Sequence, residues 1–278
     1  MRYLKGHGTE NDFVLLPDAE REIDLTPDLV AAICDRRAGV GADGVLRVVL
    51  AATDPEGAAM SDETRWFMDY RNADGSVSEM CGNGIRVFAR YLVDSHLEAP
   101  GEIAIATRDG VKKVRLAMTG DVTVDMGPAS FPGPEDVKVW AGGRSWSAVS
   151  VDVGNPHAVA FVDDLADAGE LREAPVTEPA FEAGVNVEFV AERGDAHVAM
   201  RVHERGVGET RSCGTGACAV MAAAARRAGA GAPTSYLVDV PGGQLTVARR
   251  PDGQLELTGP AVLVSEGQLR PEWLAAAG

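Results

Sequence analysis

The chain has 278 residues, 45% of them hydrophobic and 24% charged, an ordinary globular balance that excludes disorder of its bulk. Its 26 Lys and Arg against 42 Asp and Glu leave a formal net charge of −16, which argues against general affinity for nucleic acid or an anionic membrane. No apolar run is long enough to span a bilayer, the start of the chain has no secretory apolar region, and four cysteines are too few for a disulfide scaffold, so a soluble cytoplasmic protein is expected.

In chain order, residues 13–16 and 45–50 are short apolar runs that predict strands. Between them Thr26-Pro27-Asp28 predicts a helix start, with Thr as N-cap and Pro at the first position. Leu29, Val30 and Ile33 form the apolar face of that helix, and Gly39 lies beyond its end. Stretch 65–70 alternates, placing Trp66, Met68 and Tyr70 on one face of a strand. A helix follows from about Gly82 to Ser95, carrying Ile85, Phe88, Tyr91 and Leu92. Residues 102–107, 111–117 and 121–126 then predict a meander. Further strands are expected at 147–153, 158–162, 186–190 and 198–203. An Ala-rich helix runs from about Gly214 to Ala228, before strands at 236–240, 244–248, 254–257 and 261–264.

Two stretches repeat. Met80-Cys81-Gly82-Asn83-Gly84 and Ser212-Cys213-Gly214-Thr215-Gly216 each open an apolar helix, and each follows a strand and a polar loop. Nine residues before Cys81 stands Asn72, and nine before Cys213 stands Glu204. Gly8 to Val14 and Val153 to Val159 echo one another in placing an Asn in a turn before a strand. The expected fold is α/β (α+β): two pseudo-symmetric lobes, each a curved, mostly antiparallel sheet or open barrel around one central helix. The lobes are expected at 1–120, with Cys81, and 121–261, with Cys213; the tail, about 262–278, is placed with the first.

The repeated motif carries chemistry. The first turn of a helix has N–H groups without intrahelical partners, and the helix dipole adds about half a positive charge there. A cysteine at that place is expected to have a stabilised thiolate, and the flanking glycines are expected to let a carboxylate approach the N–H groups. Two such helix ends facing one cleft would put a sulfur on each face of the carbon next to that carboxylate. This suits inversion of an amino-acid stereocentre without a cofactor: one thiolate removes the Cα proton and the opposite thiol returns another. The N–H donors would stabilise the enolate-like charge between the two steps.

With these motifs in hand, the sequence resembles the diaminopimelate epimerases. The resemblance is carried by His7-Gly8-Thr9-Glu10-Asn11-Asp12-Phe13, Met80-Cys81-Gly82-Asn83-Gly84-Ile85-Arg86, Gly154-Asn155-Pro156-His157, Gly184-Val185-Asn186-Val187-Glu188 and the stretch from Glu204-Arg205 to Cys213-Gly214-Thr215-Gly216, in order along nearly the whole chain. It implies conversion of LL-2,6-diaminopimelate to the meso isomer, in lysine and peptidoglycan-precursor synthesis. It also implies the two-lobed fold, a small-molecule substrate, no metal, no pyridoxal phosphate and the family's usual homodimer. Cys81 and Cys213 correspond to the acid–base pair, with Cys81 at the place of the donor and Cys213 of the acceptor. Gly82, Asn83, Gly214 and Thr215 correspond to the binders of the reacting carboxylate. Asn11, Asn72, Asn155, Asn186, Glu204 and Arg205 correspond to residues that hold the rest of the substrate. His157 and Glu204 match positions that tune the cysteine pKa values. The match departs in two places. A substrate-contacting Gln of some members is Gly44 here, and a tyrosine linked to dimer formation falls near Ser265.

Other readings have their own signals. Cys34 and Cys218 read as buried structural thiols. A zinc site would have to use His197 and His203 without paired-Cys spacing. His7 reads as a turn residue and His96 as a favourable charge at a helix end. A redox pair, an amino-acid-binding protein without catalysis, and a proline or hydroxyproline racemase remain as rival functions.

Overall fold

The computed structural model describes residues 1–134 and 136–277. They form two compact units, Met1–Val124 with Pro260–Gly278, and Asp125–Gly259. The described helices are α1 (Pro27–Cys34), α2 (Gly82–Asp94), α3 (Gly214–Ala228) and α4 (Pro271–Ala277).

In the first unit the strands pair in the order Val262–Gln268, Arg2–Gly8, Asn11–Pro17, Gly44–Leu50, Trp66–Asn72, Gly101–Thr107, Gly110–Leu116 and the start of Val122–Pro128. Successive pairs run antiparallel, antiparallel, parallel, antiparallel, parallel, antiparallel and antiparallel. In the second unit the order is Val137–Ala141, Arg144–Asp152, Pro156–Phe161, Asn186–Gly194, His197–Glu204, Ser235–Val240, Gly243–Arg249 and Gln254–Gly259, with the same sequence of directions. The repeat read from two cysteine motifs therefore extends to the pairing of every one of these strands. A parallel step needs a crossover, and the second crossover of each unit carries the helix, α2 or α3, that a cysteine opens.

Each sheet curves around its helix. In the first unit α2 touches strands from Val262–Gln268 across to Gly110–Leu116. Those seven strands laid flat would span about 29 Å at about 4.8 Å per step, far wider than one helix of about 10 Å. Helix α3 likewise touches strands from Arg144–Asp152 across to Gln254–Gly259. Both helices are buried nearly all round, as interior helices are. The buried Arg90 of α2 is satisfied by the carbonyls of Ala117, Met118 and Gly120 at 2.8–3.0 Å. In α1 the hydroxyl of Thr26 accepts from the Leu29 N–H at 3.1 Å, as its sequence predicts. Gly39 is required after it, because a Cβ there would stand 2.1 Å from the carbonyl oxygen of Ala32.

Three local expectations change. The alternating stretch is strand Trp66–Asn72, but Trp66 to Tyr70 are all buried. Asp69, facing away from the apolar side, is covered and held by Arg71 at 2.8 Å and Arg108 at 2.6 Å. What the structure shows at His96, read from sequence as a charge at a helix end, is a backbone role: it takes a positive φ of 56° and closes α2, its N–H bonding Val93 O while Leu97 N–H bonds Leu92 O. Strands Arg2–Gly8, Val137–Ala141, Val176–Glu178 and Gly208–Thr210, and helix α4, were not expected. Among the described residues no helix is long and apolar enough to cross a membrane.

Candidate active site

In the first unit, Cys81 is the N-cap of α2, with extended backbone at φ −138° and ψ 119°. Its sulfur turns back over the helix and accepts from the Gly84 N–H at 3.4 Å. The thiol in turn lies 3.6 Å from Oδ1 of Asn11, which also accepts from Asn83 Nδ2 at 3.1 Å. Asn11 is presented by the two-residue turn Thr9-Glu10, both at positive φ (49° and 62°), which joins strands Arg2–Gly8 and Asn11–Pro17. Its amide orientation is fixed from the other side, where Nδ2 donates to Asp43 Oδ2 at 2.7 Å. Asp43 is held by Arg36 at 2.6 Å. The buried Arg86 donates to Gly82 O and Thr9 Oγ1, fastening the helix start to this turn. Asn72 stands in register with Gly44, and Gly44 with Phe13, so Asn72 and Asn11 share one end of the ladder.

In the second unit, Cys213 repeats the device as N-cap of α3, at φ −126° and ψ 118°, accepting from the Gly216 N–H at 3.3 Å. Thr215 Oγ1 lies 3.5 Å from the sulfur. His157 and Asn186 are in register on adjacent strands, and Val187 faces His203 on the next. His157, Asn186 and Glu204 therefore gather at the end of the ladder where α3 begins. Asn155 Oδ1 meets His157 Nε2 at 2.9 Å. Asn186 accepts from the Arg205 main-chain N–H at 2.9 Å and donates to Pro156 O at 3.2 Å. Arg205 is exposed, with its guanidinium tethered to Ala183 O at 2.9 Å. Thr210 donates its hydroxyl to Glu204.

The electrostatics differ from expectation. Burial pushes the Cys213 thiol well above its ordinary value, and the carboxylates of Glu204 and Glu188 push it further. The Thr215 hydroxyl and the Gly216 N–H pull it down, but they do not prevail. The helix-start effect is thus present and outweighed by desolvation and two neighbouring acids. Burial also raises Glu204, and the charge of Glu188 adds to this, against the Thr210 hydroxyl. The third-position glycines also serve a purpose the sequence reading missed. A Cβ on Gly216 would lie 2.8 Å from Glu188 Oε1 and 3.3 Å from Cys213 Sγ, so this glycine leaves room for the sulfur and an acid.

Gly44 has a steric account. A Cβ there would meet the Arg71 carbonyl oxygen at 2.5 Å and Tyr70 Cε2 at 2.8 Å. Gly44→Ala is expected to cost about 1–3 kcal/mol in stability, read by urea unfolding. A variant as stable as the parent would mean that the strands part without cost.

The other cysteines and histidines lie elsewhere. Cys34 is buried among Leu29, Val30 and Ile33, and burial pushes its thiol up to about 12. Cys218 is buried inside α3, and no disulfide joins any two of the four cysteines among the described residues. His197 pairs with Asp239 at 2.7 Å. His7 Nδ1 accepts from the Glu10 N–H in the Thr9-Glu10 turn. Among the described residues no group of three His, Cys, Asp or Glu side chains could hold a metal ion.

The family profile described as Diaminopimelate epimerase matches residues 3–132 and 149–264. The chain belongs to the diaminopimelate epimerase family. It is 60% identical to a diaminopimelate epimerase of Streptomyces coelicolor, over 98% of this chain and 96% of that one. It is 49% identical to the diaminopimelate epimerase of Mycolicibacterium vanbaalenii over the full length of both. Diaminopimelate epimerases are isomerases, and the fold agrees with more distant solved structures. A hydroxyproline epimerase of Agrobacterium vitis has a TM-score of 0.68 at 16% identity, covering 99% of this chain and 94% of that one. A PhzF-family phenazine biosynthesis protein of Bacillus anthracis has a TM-score of 0.69 at 15% identity, covering 97% and 99%.

The residues that sequence reading missed within this family framework are Asp43, which orients Asn11, Thr210, which bonds Glu204, and Glu188. Glu188 had a signal: it is a charged residue inside an apolar strand run, two residues from Asn186 and so on the same face.

Proposed function

We propose that this protein converts LL-2,6-diaminopimelate to meso-diaminopimelate with two cysteine side chains as acid and base, in lysine and peptidoglycan-precursor synthesis. The observation that carries the reading is the duplicated device: a thiol capping a helix and bonded to the third residue's N–H, once in each topologically equivalent unit. Inversion needs the incoming proton to arrive on the face opposite the one vacated, which one base cannot arrange. A duplicated acid–base group meets that need, and both acid and base are then side chains. A thiol held protonated at rest is a proton donor, and its thiolate, once formed, is a strong base; the raised Cys213 suits both directions.

In this reading Cys81 and Cys213 exchange protons with Cα, and His157 and Glu204 set the charge around them. Gly82, Asn83, Gly214 and Thr215 bind the reacting carboxylate at the helix starts. Asn11, Asn72, Asn155, Asn186, Glu204 and Arg205 hold the remaining ammonium and carboxylate groups, Arg205 by parallel hydrogen bonds. The enzyme acts on a small molecule in the cytoplasm as a homodimer.

The test is proton exchange: the reduced protein with LL-diaminopimelate in heavy water, followed by NMR and chiral chromatography, with proline in parallel. Deuterium at one centre together with meso product is the expected result. Exchange with proline alone would move the assignment to a proline racemase, and exchange with neither would leave binding without catalysis. Arg205→Ala is expected to lower kcat/KM for diaminopimelate about ten- to a hundredfold, the worth of about 1.5–3 kcal/mol for hydrogen bonds to a charged group. An unchanged kcat/KM would remove Arg205 from the substrate's binding set.

A further inference from the structure

We propose that Glu188 is a positioning residue that fixes the His157 imidazole through Nδ1 at the start of α3. The inference rests on the proposed function only for what His157 serves.

The geometry singles Glu188 out. His157 and Glu188 lie on the adjacent parallel strands Pro156–Phe161 and Asn186–Gly194. Both side chains are fully buried, and Glu188 Oε1 meets His157 Nδ1 at 2.7 Å. The other ring nitrogen, Nε2, meets Asn155 at 2.9 Å, so the ring is gripped at both ends. With Glu188 as a carboxylate, which only accepts hydrogen bonds, the proposal makes Nδ1 the donor of this contact. The same oxygen, Oε1, lies against the first turn of α3, where the absence of a side chain at Gly216 leaves room for it. One residue thereby ties the imidazole to the turn that carries Cys213.

The arrangement is costly for packing alone. Among the described residues Glu188 Oε2 has no hydrogen-bond partner, although it is buried. A buried carboxylate with one oxygen unmatched is destabilising relative to an apolar side chain of the same shape. Its charge also contributes to raising both Cys213 and Glu204. A residue that burdens the fold in this way and bonds His157 directly has its use in orienting that histidine.

The test compares the parent with Glu188→Leu, which removes the acceptor, and Glu188→Gln, whose carbonyl still accepts. In the ¹⁵N-labelled parent, the His157 Nδ1 resonance is expected to be that of a protonated, hydrogen-bonded nitrogen. Glu188→Leu is expected to lose that signature and to lower kcat about ten- to a hundredfold, the scale on which orienting partners of an imidazole act. KM should stay within about threefold, because substrate contacts are untouched, and Glu188→Gln should recover most of kcat. A parent spectrum with an unprotonated Nδ1 would overturn the proposal, whether or not the leucine variant folds. So would a folded leucine variant with unchanged kcat and unchanged His157 resonances. If the parent fails to exchange the α-proton of diaminopimelate, the proposed function falls, while the resonance of His157 still decides the role of Glu188.

Discussion

Cys213→Ser and Cys81→Ser are each expected to lower net epimerisation of diaminopimelate by at least about a thousandfold, within the range of a positioned acid or base. Serine is the informative replacement because it is among the best N-cap residues, so the starts of α2 and α3 should persist. A hydroxyl can accept from the Gly84 or Gly216 N–H as the sulfur does, yet it is a far weaker acid at neutral pH. Thermal unfolding midpoints near the parent value, with activity lost, would separate chemistry from folding. If either serine variant kept more than about a tenth of the parent rate, where positioned proton transfer accounts for about 10²–10⁴, that cysteine would not be one of the two bases.

The largest effect on stability is expected far from the cysteines, at Asp18. Its carboxylate pairs with Arg47, Nε lying 2.8 Å from Oδ2, and both side chains are buried. It also accepts from the N–H groups of Glu22 and Ile23 at 2.8 and 3.1 Å. Asp18→Ala leaves Arg47 with Asp69 at 4.0 Å as its nearest remaining carboxylate in these contacts and strips two N–H groups of their acceptor. A loss of about 3–5 kcal/mol is expected, as for a buried pair broken from one side. Guanidinium unfolding measures it, and a loss below about 1 kcal/mol would mean that water or Asp69 takes over the charge. The double variant Asp18→Ala/Arg47→Met should recover part of the loss, because the cost lies in the uncompensated charge.

What could be read from the sequence was local. Thr26-Pro27 capping α1, and Cys81 and Cys213 opening α2 and α3, depend on a few neighbouring residues whose backbone N–H groups need acceptors. The strands seen in advance are those with runs of branched apolar residues, such as Gly44–Leu50 and Asn186–Gly194. Strand Arg2–Gly8 was hidden because two of its buried inward positions are Gly6 and Gly8, which carry no hydrophobic signal. Gly208–Thr210 is too short to show a period and exists only because Glu204, His203 and Val202 offer it a ladder.

The sequence by itself determined the repeated cysteine motif, the helices that it opens and the resemblance to diaminopimelate epimerases, since each is written in contiguous residues. Only the tertiary structure decided the company those cysteines keep. Asp43 reaches Asn11 across 32 positions, and Glu188 reaches His157 across 31 and packs against Gly216. The proton affinity of Cys213 was decided in the same way. A helix start alone lowers a thiol's pKa, and the sequence shows only the helix start. Burial and two carboxylates from other strands raise it, and that larger effect arises when the chain has folded.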